Sequence, residues 1–114
     1  MTDFQRDLKY LIDEGVFASK RGQVRFVFRN GNILKGELEL LNLGERAYNC
    51  LRRNRIHTIE EVTAKFDDIF RLKGAGKKVV KEVKNAYLQY YYAMLSPEER
   101  EQFWKDTMEA TAIM

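Results

Sequence analysis

Ile69-Phe70-Arg71-Leu72-Lys73-Gly74-Ala75-Gly76-Lys77-Lys78-Val79-Val80 is the stretch whose reading decides the fold. It combines a hydrophobic helix end, a Gly-x-Gly bend and two lysines that open another helix. Gly74 and Gly76 can adopt backbone angles closed to other residues and can expose amides with no Cβ in the way. Those amides fall at a helix N-terminus, where unpaired N–H groups and the positive end of the helix dipole favour an anion. Lys77 and Lys78 add charge at the same place. The best-matched ligand is a backbone phosphate of nucleic acid; the plain alternative is a glycine turn with solvated lysines. A nucleotide P-loop is excluded. The Gly-x-x-x-x-Gly-Lys-Ser/Thr spacing is missing, and Val79 stands where a metal-binding hydroxyl belongs.

Outward from this bend the period is helical. Towards the N-terminus, a short helix is expected over residues 67–72. Thr58-Ile-Glu-Glu61 reads as a capping box that starts a helix, with the Thr58 hydroxyl accepting from the Glu61 amide and the Glu61 side chain reaching back. Ala47, Cys50 and Leu51 line one side of a helix beginning near Leu43, with Arg46, Asn49, Arg52 and Arg53 among its polar positions. Towards the C-terminus, Ser96-Pro-Glu-Glu99 combines an N-cap, a proline at the first helical position and a capping box, so a last helix runs through Phe103 and Trp104. At the start of the chain, Phe4, Leu8, Leu11 and Ile12 recur at helical spacing and stop near Gly15. Between lie Val24, Phe26 and Phe28, alternating with Arg25 and Arg29, then Asn30-Gly31, then a return over residues 33–40. A β-hairpin over residues 23–39 is expected, its apolar face docked on a helix because a lone hairpin is marginal in water.

The fold class expected is therefore mainly α: a compact four-to-five-helix, helix-hairpin-helix bundle with a small N-terminal β-hairpin. The divisions are 1–40 for a helix and hairpin appendage, 41–92 for the helical module, and 93–114 for a C-terminal helix packed on it. A chain of 114 residues with 45% hydrophobic and 32% charged residues suits one soluble domain. The net charge of +3 is unevenly spread. Residues 1–36 and 37–91 each carry +3 and residues 92–114 carry −3, which suits an anionic partner for the body. One cysteine rules out an internal disulfide framework and fits a reducing compartment. No signal-like segment opens the chain, and no stretch reaches the roughly 20 apolar residues of a membrane span, so a cytoplasmic location is expected. Cys50 and His57 are too few for a zinc site, no nucleophile–base–acid set is available, and neither metal, cofactor nor catalytic residue is expected.

Three quoted segments together resemble the C-terminal domain of the bacterial RNA polymerase alpha subunit. They are Leu43-Gly-Glu-Arg46-Ala-Tyr-Asn49-Cys50-Leu51-Arg-Arg, Ile56-His-Thr58-Ile-Glu-Glu61-Val, and Leu72-x-Gly74-Ala-Gly76-Lys77-Lys78-x-x-x-Glu82-Val. The resemblance covers residues 41–87. It implies a non-enzymatic domain that binds the minor groove of A/T-rich double-stranded DNA and touches sigma factors, activators and RNA polymerase. Carried over by position, Arg46 enters the groove, Asn49 and Cys50 contact phosphate, and Gly76 and Lys78 supply the hairpin contacts with Glu82 as the acidic helix position. Arg52 is kept as support and Gly74 and Lys77 as part of the cradle. A narrow A-tract groove concentrates negative potential, so one guanidinium there reads shape more than base identity.

Departures from that pattern are definite. Val79 replaces the usual serine, Glu45 replaces an apolar residue beside Arg46, and the segment around residues 65–70 is one residue shorter. Leu40, Leu41 and Asn42 replace acidic positions used for sigma contact. The expectation is a free-standing relative without the large assembly domain, acting in bacterial or phage transcription. The alternative is a protein-interaction adapter with little DNA affinity. Two further pairs stay open. Tyr87, Tyr91 and Met94 form a stripe that is a base-stacking platform, or else core packing against Phe103 and Trp104 or a homodimer seam. Arg25, Arg29 and Lys35 either extend a DNA footprint or protect an edge strand.

Overall fold

The computed structural model describes residues 2–17, 24–29 and 35–113. Five α-helices lie among them: α1 (Asp3–Asp13), α2 (Glu45–Arg53), α3 (Ile59–Lys65), α4 (Lys77–Ala93) and α5 (Pro97–Ile113). Two 3-10 helices, Leu38–Leu41 and Phe66–Arg71, complete the described regular structure. The protein divides into two compact units, Met1–Asn32 with Tyr92–Met114, and Ile33–Tyr91.

The first unit is built on aromatic rings. Phe4 of α1 stacks on Trp104 of α5 at 5.8 Å and meets the edge of Tyr92 at 5.5 Å. Phe26 stacks on Phe103 at 6.0 Å. The Trp104 indole donates to the Tyr92 hydroxyl (2.8 Å), which donates to Asp7 (2.6 Å). Burial, followed by that carboxylate partner, pushes the Tyr92 hydroxyl up to about 12. Residues 24–29 run antiparallel to α5. The Arg25 amide donates to Thr111 and the Arg29 guanidinium grips Asp106 through two bonds of 2.7 and 3.1 Å. Helix α1 ends as the sequence predicts: Gly15 takes φ 81°, and Val16 and Gly15 donate to Leu11 and Ile12 in a Schellman closure.

The second unit holds α2, α3, both 3-10 helices and most of α4. Leu38, Leu51, Ile59, Val62, Ile69 and Val83 are fully buried there with Tyr87, whose hydroxyl bonds to that of Thr63. Burial raises Tyr87 to about 12. The expected Thr58 cap forms, with the hydroxyl accepting from the Glu61 amide at 3.2 Å. The return arm goes one residue further back, to the His57 amide (3.1 Å) and the Thr58 hydroxyl (3.0 Å).

The β-hairpin is the expectation that fails. Residues 24–29 form no strand, and Leu38–Leu41, expected to be the end of the second strand, is a 3-10 helix. Strand alternation would bury Leu38 and Leu40 together. Instead Leu38 and Leu41, three apart, are buried while Leu40 is 50% exposed, the spacing of a 3-10 turn. The backbone around Glu37 pairs with Thr58 in an isolated bridge. The Asn30-Gly31 turn lies outside the described residues. The tyrosine stripe also divides. Tyr87 and Tyr91 are buried, leaving neither ring open to a base or a second copy, Tyr92 packs on Phe103 and Trp104, and Met94 is exposed.

Candidate nucleic-acid interface

The bend of residues 72–76 is a tight turn resting on the end of α2. Ala75 donates to the Leu72 carbonyl (3.0 Å), and Gly74, third of those four residues, takes φ 85°, the sign a type II turn demands there. Gly76 has no such angle; its amide is occupied by the Gly74 carbonyl (3.2 Å), and its own carbonyl accepts from Val80 as α4 begins. A Cβ at Gly74 or Gly76 would meet nothing within 4 Å, so the bend is open on its outer side. The amides of Lys77, Lys78 and Val79 belong to the first turn of α4, which has no intrahelical acceptors for them. The Lys77 and Lys78 side chains are exposed, whereas Val79 is buried. Val79, where the resemblance leads one to expect a serine, is therefore part of the core.

Beneath the bend lies a contact invisible at the sequence level. Asn54, the residue that ends α2, donates from Nδ2 to the Lys73 carbonyl (3.0 Å) and accepts at Oδ1 from the Lys73 amide (3.1 Å). It also donates to the Cys50 carbonyl at 2.8 Å. The buried Cys50 thiol faces the same Lys73 carbonyl at 3.7 Å. Cys50 thus supports the bend from below, with its sulfur turned inwards.

At the other end of α2, the Gly44 amide donates to the Glu82 carboxylate at 2.6 Å. Gly44 is the N-cap of α2 and has no side chain to cap with; a glutamate from α4 does it. A Cβ at Gly44 would press on that carboxylate oxygen at 3.2 Å. These two anchors, Gly44–Glu82 and Asn54–Lys73, lay α2 antiparallel to the segment from the bend to the second turn of α4. Arg46, Cys50 and Asn54 stand at i, i+4 and i+8, one line along α2. Arg46 is exposed on that line, one turn before Cys50 and two before Asn54, the residues that hold the bend, and Asn49 is half-buried beside it.

Arg52 is not brought to this place. It lies about 200° around α2 from Cys50. There its guanidinium donates to the Tyr48 hydroxyl (3.0 Å), which donates to Glu39 (2.9 Å). Glu39 is held below the usual carboxylate range by its own backbone amide and by Tyr48. Of the hairpin cations, Arg29 is engaged by Asp106. Cys50 is buried while His57 is exposed, and among the described residues no three His, Cys, Asp or Glu side chains gather as a metal set. No helix of the described residues is long and apolar enough to cross a membrane.

Residues 29–88, more than half of the protein, match the family described as the C-terminal domain of the bacterial RNA polymerase alpha subunit. The protein belongs to this family. It is 35% identical over 68 residues to the DNA-directed RNA polymerase subunit alpha of Clostridium beijerinckii, covering 59% of this chain and 22% of that subunit. It is 40% identical over 52 residues to the subunit of Clostridium kluyveri, covering 45% and 16%. Against the subunit of Symbiobacterium thermophilum it is 32% identical over 68 residues, covering 59% and 22%. The chain spans about a fifth of the length of these curated relatives. No solved structure matches significantly. The family match takes in almost all of the unit Ile33–Tyr91 and leaves α1 and α5 outside it.

Proposed function

We propose that this protein is a non-enzymatic DNA-binding module of bacterial or phage transcription, working in the cytoplasm on A/T-rich double-stranded DNA. The observation that carries the reading is the open bend on a family scaffold. Gly74 and Gly76 face open space beside the exposed Lys77 and Lys78 at the start of α4, and Arg46 stands on the α2 line that leads to them. A phosphate seated on the first-turn amides of α4 is favoured by the helix dipole and by both lysines. Arg46 then reaches the minor groove of the same duplex, where a narrow A/T tract deepens the negative potential. Asn49 flanks that path, Gly76 starts the helix, and Cys50 and Glu82 hold the two ends of α2 against the phosphate side. Sigma factors, activators and RNA polymerase are the protein partners this reading brings with it.

The test is fluorescence anisotropy with A/T-rich and G/C-rich duplexes across a salt series. Arg46→Ala combined with Lys78→Ala is expected to weaken A/T-rich binding at least about tenfold. Binding unaffected by salt, or by the double substitution, overturns the reading.

A second reading, a protein-interaction adapter, is favoured by Glu45, exposed next to Arg46, and by an open groove of about 560 Å³ beside the start of α2. Its lining includes Asn42, Asn85, Gln89 and Tyr90. Retention of RNA polymerase, a sigma factor or a regulator from bacterial lysate, with no affinity for duplex, would replace the first reading with this one.

A further inference from the structure

We propose that Asn54 is a positioning residue for the bend: its side-chain amide holds the backbone on both sides of the Lys73 Cα, and so sets where the Gly74 and α4 first-turn amides stand relative to Arg46. The inference rests on the DNA-binding reading above for its purpose, and on geometry for its substance. One planar amide bridges the two peptides that flank Lys73, Nδ2 donating to the Lys73 carbonyl and Oδ1 accepting from the Lys73 amide. Two opposed bonds to peptides on either side of one Cα restrain the backbone angles at Lys73 as well as its distance from α2, which one bond cannot. The third bond, to the Cys50 carbonyl, locks the Asn54 side chain to the end of α2. Both amide hydrogens and the carbonyl oxygen of this side chain are then engaged.

The bend has little else to hold it. Its other backbone bonds, Leu72 to Ile69, Ala75 to Leu72, Gly76 to Gly74 and Val80 to Gly76, all run to residues within four positions along the chain. The Cys50 thiol contact at 3.7 Å is a weak one. Gly74, at φ 85°, supplies no stiffness of its own. A single helix therefore carries both the arginine and the clamp, so the spacing between Arg46 and the phosphate amides is set by the rigid α2 backbone. Asn54 itself is half-buried under the bend and adds no charge.

That neutrality gives the proposal a distinctive signature. Removing a lysine that contacts phosphate lowers the slope of log affinity against log salt by about one. Removing Asn54 leaves all cations in place, so affinity falls while the slope stays. With the whole 114-residue chain, Asn54→Ala is expected to weaken A/T-rich duplex binding about three- to tenfold at constant salt slope, the effect of one to two ordinary hydrogen bonds. The Gly74, Gly76 and Lys77 amide resonances of the free protein move at the same time. Thr63→Ala, which removes a partly buried hydrogen bond to Tyr87 in the same unit, serves as a control that lowers stability and leaves both readouts alone. If Asn54→Ala does not fold, Asn54→Leu, of similar size and equally uncharged, removes the same bonds; the same shifts are expected. Wild-type affinity with unmoved resonances in the variant overturns the proposal, as does an equal affinity loss in Thr63→Ala. Failure of the wild-type protein to bind duplex overturns the DNA reading, and the resonances then decide the positioning claim alone: moved, it stands; unmoved, it falls.

Discussion

At the scale of single residues, four positions carry conformational or solvation costs that can be measured. Helix α2 closes in a Schellman motif, with Ile56 donating to Leu51 and Arg55 to Arg52, and the residue forced left-handed is Arg55 at φ 62°. Helix α1 makes the same closure with glycine. Arg55→Gly is therefore expected to stabilise the protein by about 1 kcal/mol and raise its melting temperature by a few degrees, as followed by circular dichroism. A lower melting temperature would show that the arginine's interactions outweigh its backbone strain. Thr107 is fully buried on α5, and its hydroxyl finds no partner among the described residues. Thr107→Val keeps the shape and removes the orphan group, with an expected gain of about 1 kcal/mol in urea unfolding. Tyr87 and Tyr92, both raised to about 12, supply an alkaline test. Folding favours their neutral forms, so their contribution is complete below the unfolded value of about 10 and is lost as pH climbs through 12. Stability measured between about pH 10 and 12 should fall, and the double Phe substitution should flatten that fall.

At the scale of elements, the ends of helices were far more legible than the pairing of extended segments. The Thr58 and Ser96 caps, the Gly15 stop and the start of α4 after Gly76 all follow from local chemistry that the sequence displays, and they hold in the fold. The hairpin failed because its signal needed two segments to pair across the chain. Leu38 and Leu41 found a closer solution in a 3-10 turn, and residues 24–29 ran along α5 through Arg25 and Arg29. The same limit hid Asn54, which reads locally as an ordinary helix end and gains its meaning from Lys73, nineteen positions away. It also hid what Glu82 touches, the bare N-cap of α2. Glu82→Ala is expected to cost about 1 kcal/mol through that cap and to weaken DNA binding by loosening the turn that bears Arg46. Glu82→Gln, which retains an acceptor, should recover most of both; equal loss in the two variants would contradict the capping role. Helix α3 responds to acid. The Glu61 carboxyl is held low by the His57 amide and the Thr58 hydroxyl, so its stabilisation is present above the ordinary value of 4.5 and disappears as pH falls through the folded value. Glu61→Gln should weaken the acid dependence of unfolding.

At the scale of the whole molecule, charge divides unevenly between the two units. Residues 33–91 carry twelve Lys/Arg against eight Asp/Glu, while the other unit carries eight against nine. The net +3 thus combines a +4 unit with one of −1. In the −1 unit several cations already have carboxylate partners: Arg29 with Asp106, Arg100 with Asp3, Lys9 with Asp13. The Arg29 guanidinium keeps Asp106 below the usual carboxylate range, as an engaged pair should. Within the +4 unit, Lys77, Lys78 and Arg46 are exposed, and no partner within the described residues engages them. Electrostatics therefore favours the unit that bears the family fold as the one that meets the duplex. Each phosphate neutralised contributes about 0.9 to the salt slope of B-DNA binding, and a guanidinium in the groove displaces counterions in the same way, so these three cations predict a slope of roughly −3. Lys78→Ala should bring it to about −2. Arg29→Ala, which deletes a cation already neutralised and belonging to the other unit, should leave it unchanged. A slope that responds to Arg29 as it does to Lys78 would mean that charge acts through the net balance of the molecule, and the local cradle at Gly74 and Gly76 would then have no special claim on the phosphate.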